Sequence, residues 1–185
     1  FMAGLNASGV NVLDLEVAPV PVTRYLTRQP VAAGGVTIRL VDGDPQSVIV
    51  RFFDREGIDI TSDSQRKIER LFAREDFRRV LAGEIGDIGF PPRAIEHYTE
   101  ALGETVDLAA VRGAGFKLVV DYGYGSSAFV MPNVLAKLNA DVLGVNPYAS
   151  TRQRIGADQA EAEAHVARLV QASGAQLGAL IDADG

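Results

Sequence analysis

Hydrophobic and polar positions switch repeatedly between a period of two and a period near three and a half, predicting strands that alternate with helices. Phe1 to Ser8 reads as the end of a helix stopped by Gly9, and Val10 to Val17 (VNVLDLEV) alternates as a strand does. Pro19 and Pro21 break that run, and a short helix is expected over Val20 to Gln29. Val36 to Val41 and Ser47 to Phe53 read as strands on either side of Asp42-Gly43-Asp44-Pro45. That cluster is a turn signal, combining Asx side chains, a permissive glycine and a φ-fixed proline. A hairpin-like unit is therefore expected. After Ser62-Asp63, Ile68, Leu71 and Phe72 fall on one face of a long helix and charges fill the other.

Gly83 to Pro92 holds three glycines and two prolines and is the best linker candidate. It divides the chain into expected units 1–85 and 86–185. Pro92 suits the first position of a helix running to about Leu102. Val106 to Arg112 reads as a short helix, Phe116 to Asp121 as a buried strand, and Gly123 to Ser127 as a turn. A helix over Ala128 to Leu138, a strand over Asp141 to Val145, a helix over Ala157 to Ala172 and a strand over Gln176 to Ile181 complete the pattern. The fold class is α/β, with mixed, mostly parallel sheets flanked by helices.

Composition narrows the function classes. The net charge is −6, which argues against a nucleic-acid partner. The most basic stretch, Ser62 to Leu81, carries six Lys/Arg against four Asp/Glu and reads as a solvated helix face. There is no cysteine, which removes disulfides and thiolate chemistry and makes an intracellular, cytoplasmic setting the simplest expectation. No apolar run approaches the ~20 residues of a membrane span, and no signal-peptide pattern opens the chain. Phe1 precedes Met2, so both ends read as cut from something longer.

Two places could carry chemistry. Gly125, Ser126 and Ser127 lie between a strand and a helix, where free N–H groups can hold an anion such as phosphate. A tight turn with a serine cap explains the same residues. Asp182 and Asp184 directly follow a strand, so they could present oxygens to a hard cation such as Mg²⁺ or be solvated acids. His97 and His165 fall within expected helices, near no candidate nucleophile.

Several blocks, in order, resemble the α-D-phosphohexomutases, the family of phosphomannomutase and phosphoglucomutase. Gly4-Leu5 through Gly9-Val10-Asn11-Val12 resembles a helix-to-strand step of its first domain, and Pro19 to Tyr25 (PVPVTRY) its "TP" stretch. Gly34-Gly35-Val36-Thr37-Ile38 and Val50-Arg51-Phe52-Phe53-Asp54 bracket the segment that reads GGxMITASHNPxxxNGxKFFD in the family. VVDYGYGSS resembles the opening of domain II, Asn139-Ala140-Asp141-Val142 the step after it, and Ala179 to Gly185 (ALIDADG) the start of the metal loop DxDxDR.

The resemblance implies two consecutive phosphohexomutase domains and a phosphoserine that exchanges its phosphoryl group with a hexose phosphate, assisted by Mg²⁺ on three aspartates. Position by position, the serine falls on Val41, the following histidine on Asp42 and the lysine on Arg51. Valine has no nucleophilic oxygen, and an arginine is a poor proton shuttle. Asp182 and Asp184 match the first two metal aspartates. The expectation is therefore a mutase-like fragment without the usual chemistry. Its expected role is regulatory or structural, beside missing mutase domains or a sugar nucleotidyltransferase of the same parent chain. An active mutase with a displaced nucleophile at Asp42, Asp44 or Ser47 is the enzyme alternative. A protein–protein interaction module is the third.

Overall fold

A computed structural model of the chain describes residues 1–41, 43–182 and 184–185. Asp42, the residue opposite the family's histidine, lies outside them. In the N-terminal half, α1 (Met2–Ala7) leads into β1 (Val12–Leu13), and α2 (Val20–Thr27) follows. The strand expected over Val10 to Val17 shrinks to those two residues. Asp14 Oδ1 accepts the backbone N–H of Glu16 at 2.8 Å, and Glu16 takes φ +55, so the chain turns where alternation alone predicted extension.

The expected hairpin forms from β2 (Gly35–Val41) and β3 (Asp44–Phe53). Gly35 stands opposite Phe53 and the antiparallel register runs unbroken to Leu40 opposite Val48. It then shifts, so that Val41 faces Asp44. Gly43 has φ +77, a left-handed conformation that glycine adopts without strain. The glycine pair that opens the hairpin is a packing device. A Cβ on Gly34 would come within 2.9 Å of the Phe53 carbonyl oxygen, and one on Gly35 would collide with the Thr27 hydroxyl of α2.

Helix α3 (Ser62–Arg74) includes the Ser62-Asp63 pair expected to precede it, because Thr61 is its N-cap and Thr61 Oγ1 accepts the Ser64 N–H. Its apolar stripe is real but uncovered, with Ile68, Leu71 and Phe72 all exposed. The stretch read as a linker carries β4 (Ile88–Gly89), which pairs in parallel with β1. α4 (Ala94–Glu104) begins after Pro92 rather than on it. Arg93, in a left-handed conformation, is its N-cap, and the Arg93 carbonyl accepts from His97 N–H at 3.0 Å.

The C-terminal half is α5 (Leu108–Ala114), β5 (Lys117–Asp121), α6 (Met131–Lys137), β6 (Asp141–Val145), α7 (Thr151–Ile155), α8 (Gln159–Ser173) and β7 (Leu177–Leu180). β5 lies between β6 and β7, and all three are parallel. Being central, β5 is covered on both faces, and Val119, Val120 and Asp121 are buried. Val120, Tyr122 and Leu135 form the core, joined by Leu118, Met131, Val142 and Ile181. Burying one such side chain contributes roughly 1.5–3 kcal/mol. The helix expected from Ala128 is split into a 3₁₀ turn, Ser126–Phe129, and α6. Pro132 has no N–H to donate back to the Ala128 carbonyl, so α-helix cannot run through. α7 had no counterpart in the sequence reading.

Candidate functional site

The strand order β6-β5-β7 sends the chain from β5 to one neighbour and later returns it on the other side. Parallel strands place their carboxyl ends along one edge, and a crevice opens where such connections diverge. Here that point lies between Tyr122–Gly125 and Ile181–Gly185. Asp121, which closes β5, is 1% exposed. Its carboxylate accepts the Gly123 N–H at 2.8 Å, and Asn146 Nδ2 donates to both oxygens at 3.0 and 3.2 Å. These bonds replace the lost hydration of the acid. Asn146 follows Val145, the residue paired with Asp121, so parallel register brings the two together. Gly123 takes φ +53, and a Cβ there would approach the Ile181 carbonyl to 2.7 Å.

At Gly125, Ser126 and Ser127 the chain makes a tight turn, but neither serine caps the helical turn that follows. Gly125 N–H already donates to the Tyr122 carbonyl at 2.8 Å, and Gly125 and Ser127 are both buried. Ser127 Oγ has no partner among the described residues. Only Ser126 stays partly exposed, which leaves little of the expected phosphate cradle open to a ligand.

Asp182 and Asp184 are engaged by the protein itself. Asp182 Oδ1 accepts the N–H groups of Asp184 and Gly185, at 2.9 and 3.1 Å, and so shapes the loop. Asp184 reaches back to the hairpin: its Oδ2 accepts from Arg51 Nη1 at 2.9 Å, and Arg39 Nε stands 2.9 Å from Oδ1. The Arg39 contact is electrostatic and not directional, because Oδ1 is buried and receives no aligned hydrogen bond from the described residues. The Asp184 carbonyl accepts the first N–H of α2, from Val20, at 2.9 Å. Arg51 Nε also lies 3.6 Å from Asp59, which pairs with Arg24 at 2.7 Å. Three arginines thus surround two aspartates. The groups are roughly one-third to one-half exposed, so each pair contributes about 1 kcal/mol or less.

Register explains why these side chains converge. Thr37 pairs with Arg51 and Arg39 with Ile49, so Arg39 and Arg51 are diagonal neighbours on one face of the hairpin. Val41 lies two residues beyond Arg39, past the register shift at Leu40/Val41 and opposite Asp44. The position that the resemblance gives to the serine is thus at the end of β2 and carries a side chain without a hydroxyl. Asp44 and Ser47 sit across the tip. The Ser47 hydroxyl, then the Gln46 N–H, hold the Asp44 carboxyl below its usual range.

The described residues of this loop do not by themselves fit Mg²⁺. Among the described residues no three Asp, Glu, His or Cys side chains gather closely enough to hold a metal. One Asp182 oxygen is committed to the loop, and both Asp184 oxygens face guanidinium groups. Arg39 and Asp59 went unrecognised in the sequence reading. His97 and His165 are exposed on α4 and α8, apart from this cluster. An open cleft of about 730 Å³ lies elsewhere, between α2, Ile58 and the Tyr98–Leu102 stretch of α4.

Known proteins agree with the architecture. The family models for phosphoglucomutase/phosphomannomutase, alpha/beta/alpha domains I and II, match residues 1–79 and 96–185. The chain belongs to the phosphoglucomutase/phosphomannomutase family. It is 29% identical over 184 residues to a phosphoglucosamine mutase of Synechocystis sp. (strain PCC 6803), covering 98% of this chain and 38% of that protein. It is 31% identical over 188 residues to a phosphoglucosamine mutase of Cereibacter sphaeroides (strain ATCC 17029), covering 98% and 40%. The fold also matches a phosphoglucomutase/phosphomannomutase family protein of Burkholderia thailandensis, with TM-score 0.75, 18% identity, and 98% and 40% coverage. A Thermus thermophilus protein matches with TM-score 0.79, 24% identity, and 98% and 41% coverage. The chain thus spans about two-fifths of the length of these relatives. Among the described residues no helix is long and apolar enough to cross a membrane.

Proposed function

We propose that this chain is a phosphohexomutase module without the family's phosphoryl relay, comprising the two units expected over 1–85 and 86–185. It serves sugar-phosphate metabolism in a regulatory or structural role beside further domains of its parent, a sugar nucleotidyltransferase among them. The observation that carries this reading is Val41. It stands at the end of β2, two residues beyond Arg39, at the position that the resemblance gives to the serine, and it has no oxygen to accept or give a phosphoryl group. Arg51 is fixed in its charge and bound to Asp184, which suits a structural cation better than a proton shuttle. The family supplies the substrate class, a hexose phosphate, and the relatives' names add glucosamine phosphate to the sugars worth testing.

The test is mutase turnover by the full-length parent, offered mannose, glucose and glucosamine phosphates with Mg²⁺ and a trace of the matching bisphosphate. A Val41→Ser variant runs alongside. The reading expects no turnover from the unmodified protein, and acquisition of phosphoserine by the variant, read by mass spectrometry. Turnover by the unmodified protein at a rate typical of enzymes, about 1–10³ s⁻¹, would refute it. Asp44 and Ser47, which are hydrogen-bonded to each other, and Asp42 would then be the nucleophiles to replace.

A further inference from the structure

We infer that Arg39 and Arg51 take the place of a divalent cation at Asp184, so that the β7 loop is neutralised by side chains of the hairpin and not by Mg²⁺. The inference deepens the proposed loss of phosphoryl transfer and rests on the same site.

Three observations carry it. Both Asp184 oxygens have a guanidinium nitrogen at 2.9 Å, one from each strand of the hairpin. Arg39 and Arg51 are diagonal neighbours in the β2–β3 register, so one carboxylate can meet both without distorting either strand. Asp182, the other acid of the loop, has turned one oxygen inward to two backbone N–H groups. A hard cation needs several free oxygens arranged around it. Here it would have to displace a guanidinium and then sit beside the other, like charge against like charge. An arginine stays ionised at every ordinary pH, so the clasp cannot be opened by deprotonation.

The arrangement also has a structural consequence. Asp184 is tied to the hairpin through its side chain and to α2 through its carbonyl, which accepts Val20 N–H. Gly185 rests against Pro19, and a Cβ there would come within 2.7 Å of the proline ring. A metal-binding loop must leave its oxygens to the ion. Here the Asp184 carboxylate faces the two guanidinium groups of the hairpin, and the Asp184 carbonyl is held by α2.

The experiment uses Mn²⁺ as a paramagnetic stand-in for Mg²⁺, followed by amide NMR signals of the isotope-labelled protein. The expected result is no selective broadening of Asp182, Asp184 and Gly185 by Mn²⁺, and Arg39 and Arg51 Nε–H signals that do not move between EDTA and excess Mg²⁺. Arg51→Gln should lower the folding equilibrium constant about three- to tenfold, by the same factor in EDTA and in Mg²⁺. Selective broadening at residues 182–185 that Mg²⁺ reverses, or an arginine signal displaced by Mg²⁺, would overturn the inference. The two readings can fail separately. A protein that turns over sugar phosphate while its loop ignores Mn²⁺ defeats the proposed function and leaves the clasp. An inactive protein whose loop binds Mn²⁺ does the reverse.

Discussion

Replacing Asp121 with alanine tests whether the crevice between β5 and β7 is organised by one buried carboxylate. Asp121 is 1% exposed, and three contacts define its role: Gly123 N–H at 2.8 Å, and the Asn146 amide at 3.0 and 3.2 Å. Asp121→Ala removes the acceptor and leaves two donors without partners in a site too enclosed for easy rehydration. An orphaned buried donor costs about 1–3 kcal/mol, so leaving two without partners should cost about 2–6 kcal/mol. A bound water could recover part of this, which makes the lower half of the range the safer expectation. Asp121→Asn keeps one acceptor oxygen and nearly the same volume, so it should cost less than the alanine variant. The assay is urea unfolding followed by circular dichroism, with the slope checked to confirm that the transition is unchanged in kind. A cycle adding Asn146→Ala isolates the pair, with an expected coupling of about 0.5–3 kcal/mol. An alanine variant within about 0.5 kcal/mol of wild type, at unchanged slope, would refute the assignment.

Other consequences can be checked with the same unfolding assay. Gly178 is pressed by α8, where a Cβ would lie 2.6 Å from Val166 Cγ1 and 2.7 Å from Val170 Cγ2, so Gly178→Ala should destabilise by about 1–3 kcal/mol. Burial raises the pKa of Tyr98 and of Tyr122 above the ordinary tyrosine value. Their contribution is complete below about pH 10 and is lost as pH rises through the folded-state value, because the unfolded phenols ionise first. Urea midpoints should therefore fall above that pH, and Tyr122→Phe should reduce the fall. Asp44 behaves oppositely: its lowered pKa means that its contribution is present above the ordinary carboxylate value and is lost on acidification. Ser47→Ala removes the larger cause, so carboxyl NMR titration should show Asp44 moving back up.

Much of the fold was legible because its signals are local. The Gly34-Gly35 opening and the Asp42–Pro45 cluster delimit a hairpin whose strands run almost as expected, with β3 starting earlier, at Asp44. β6 falls on Asp141–Val145, as expected. Errors came where a local signal met a competing one. Val10–Val17 has the alternation of a strand, but Asp14 folds back on Glu16 and ends it. Ala128–Leu138 has the spacing of one helix, but Pro132 interrupts its backbone ladder. The apolar stripe of α3 gave the helix correctly, yet the structure leaves it exposed, since periodicity fixes which residues share a face and not what covers it.

The site was half legible for a different reason. The resemblance sets Val41 against the family's serine by its spacing from Gly35 alone. The partners of Asp184 could not be placed in that way. Arg51 is 133 residues away in sequence, and its proximity depends on β2–β3 register, on the parallel order of β5 and β7, and on the docking of the loop against α2. Each of those is a tertiary outcome that the local pattern does not encode. Once they are known, the substitutions along the hairpin cease to be independent. In the resemblance, Arg39 occupies a threonine position, Val41 the serine and Arg51 the lysine. Under the proposed reading, Val41 removes the nucleophile, Arg39 adds a positive charge beside Asp184, and Arg51 keeps the charge of the lysine in a form that cannot shuttle a proton. The missing hydroxyl and the clasped carboxylate then belong to one change of role.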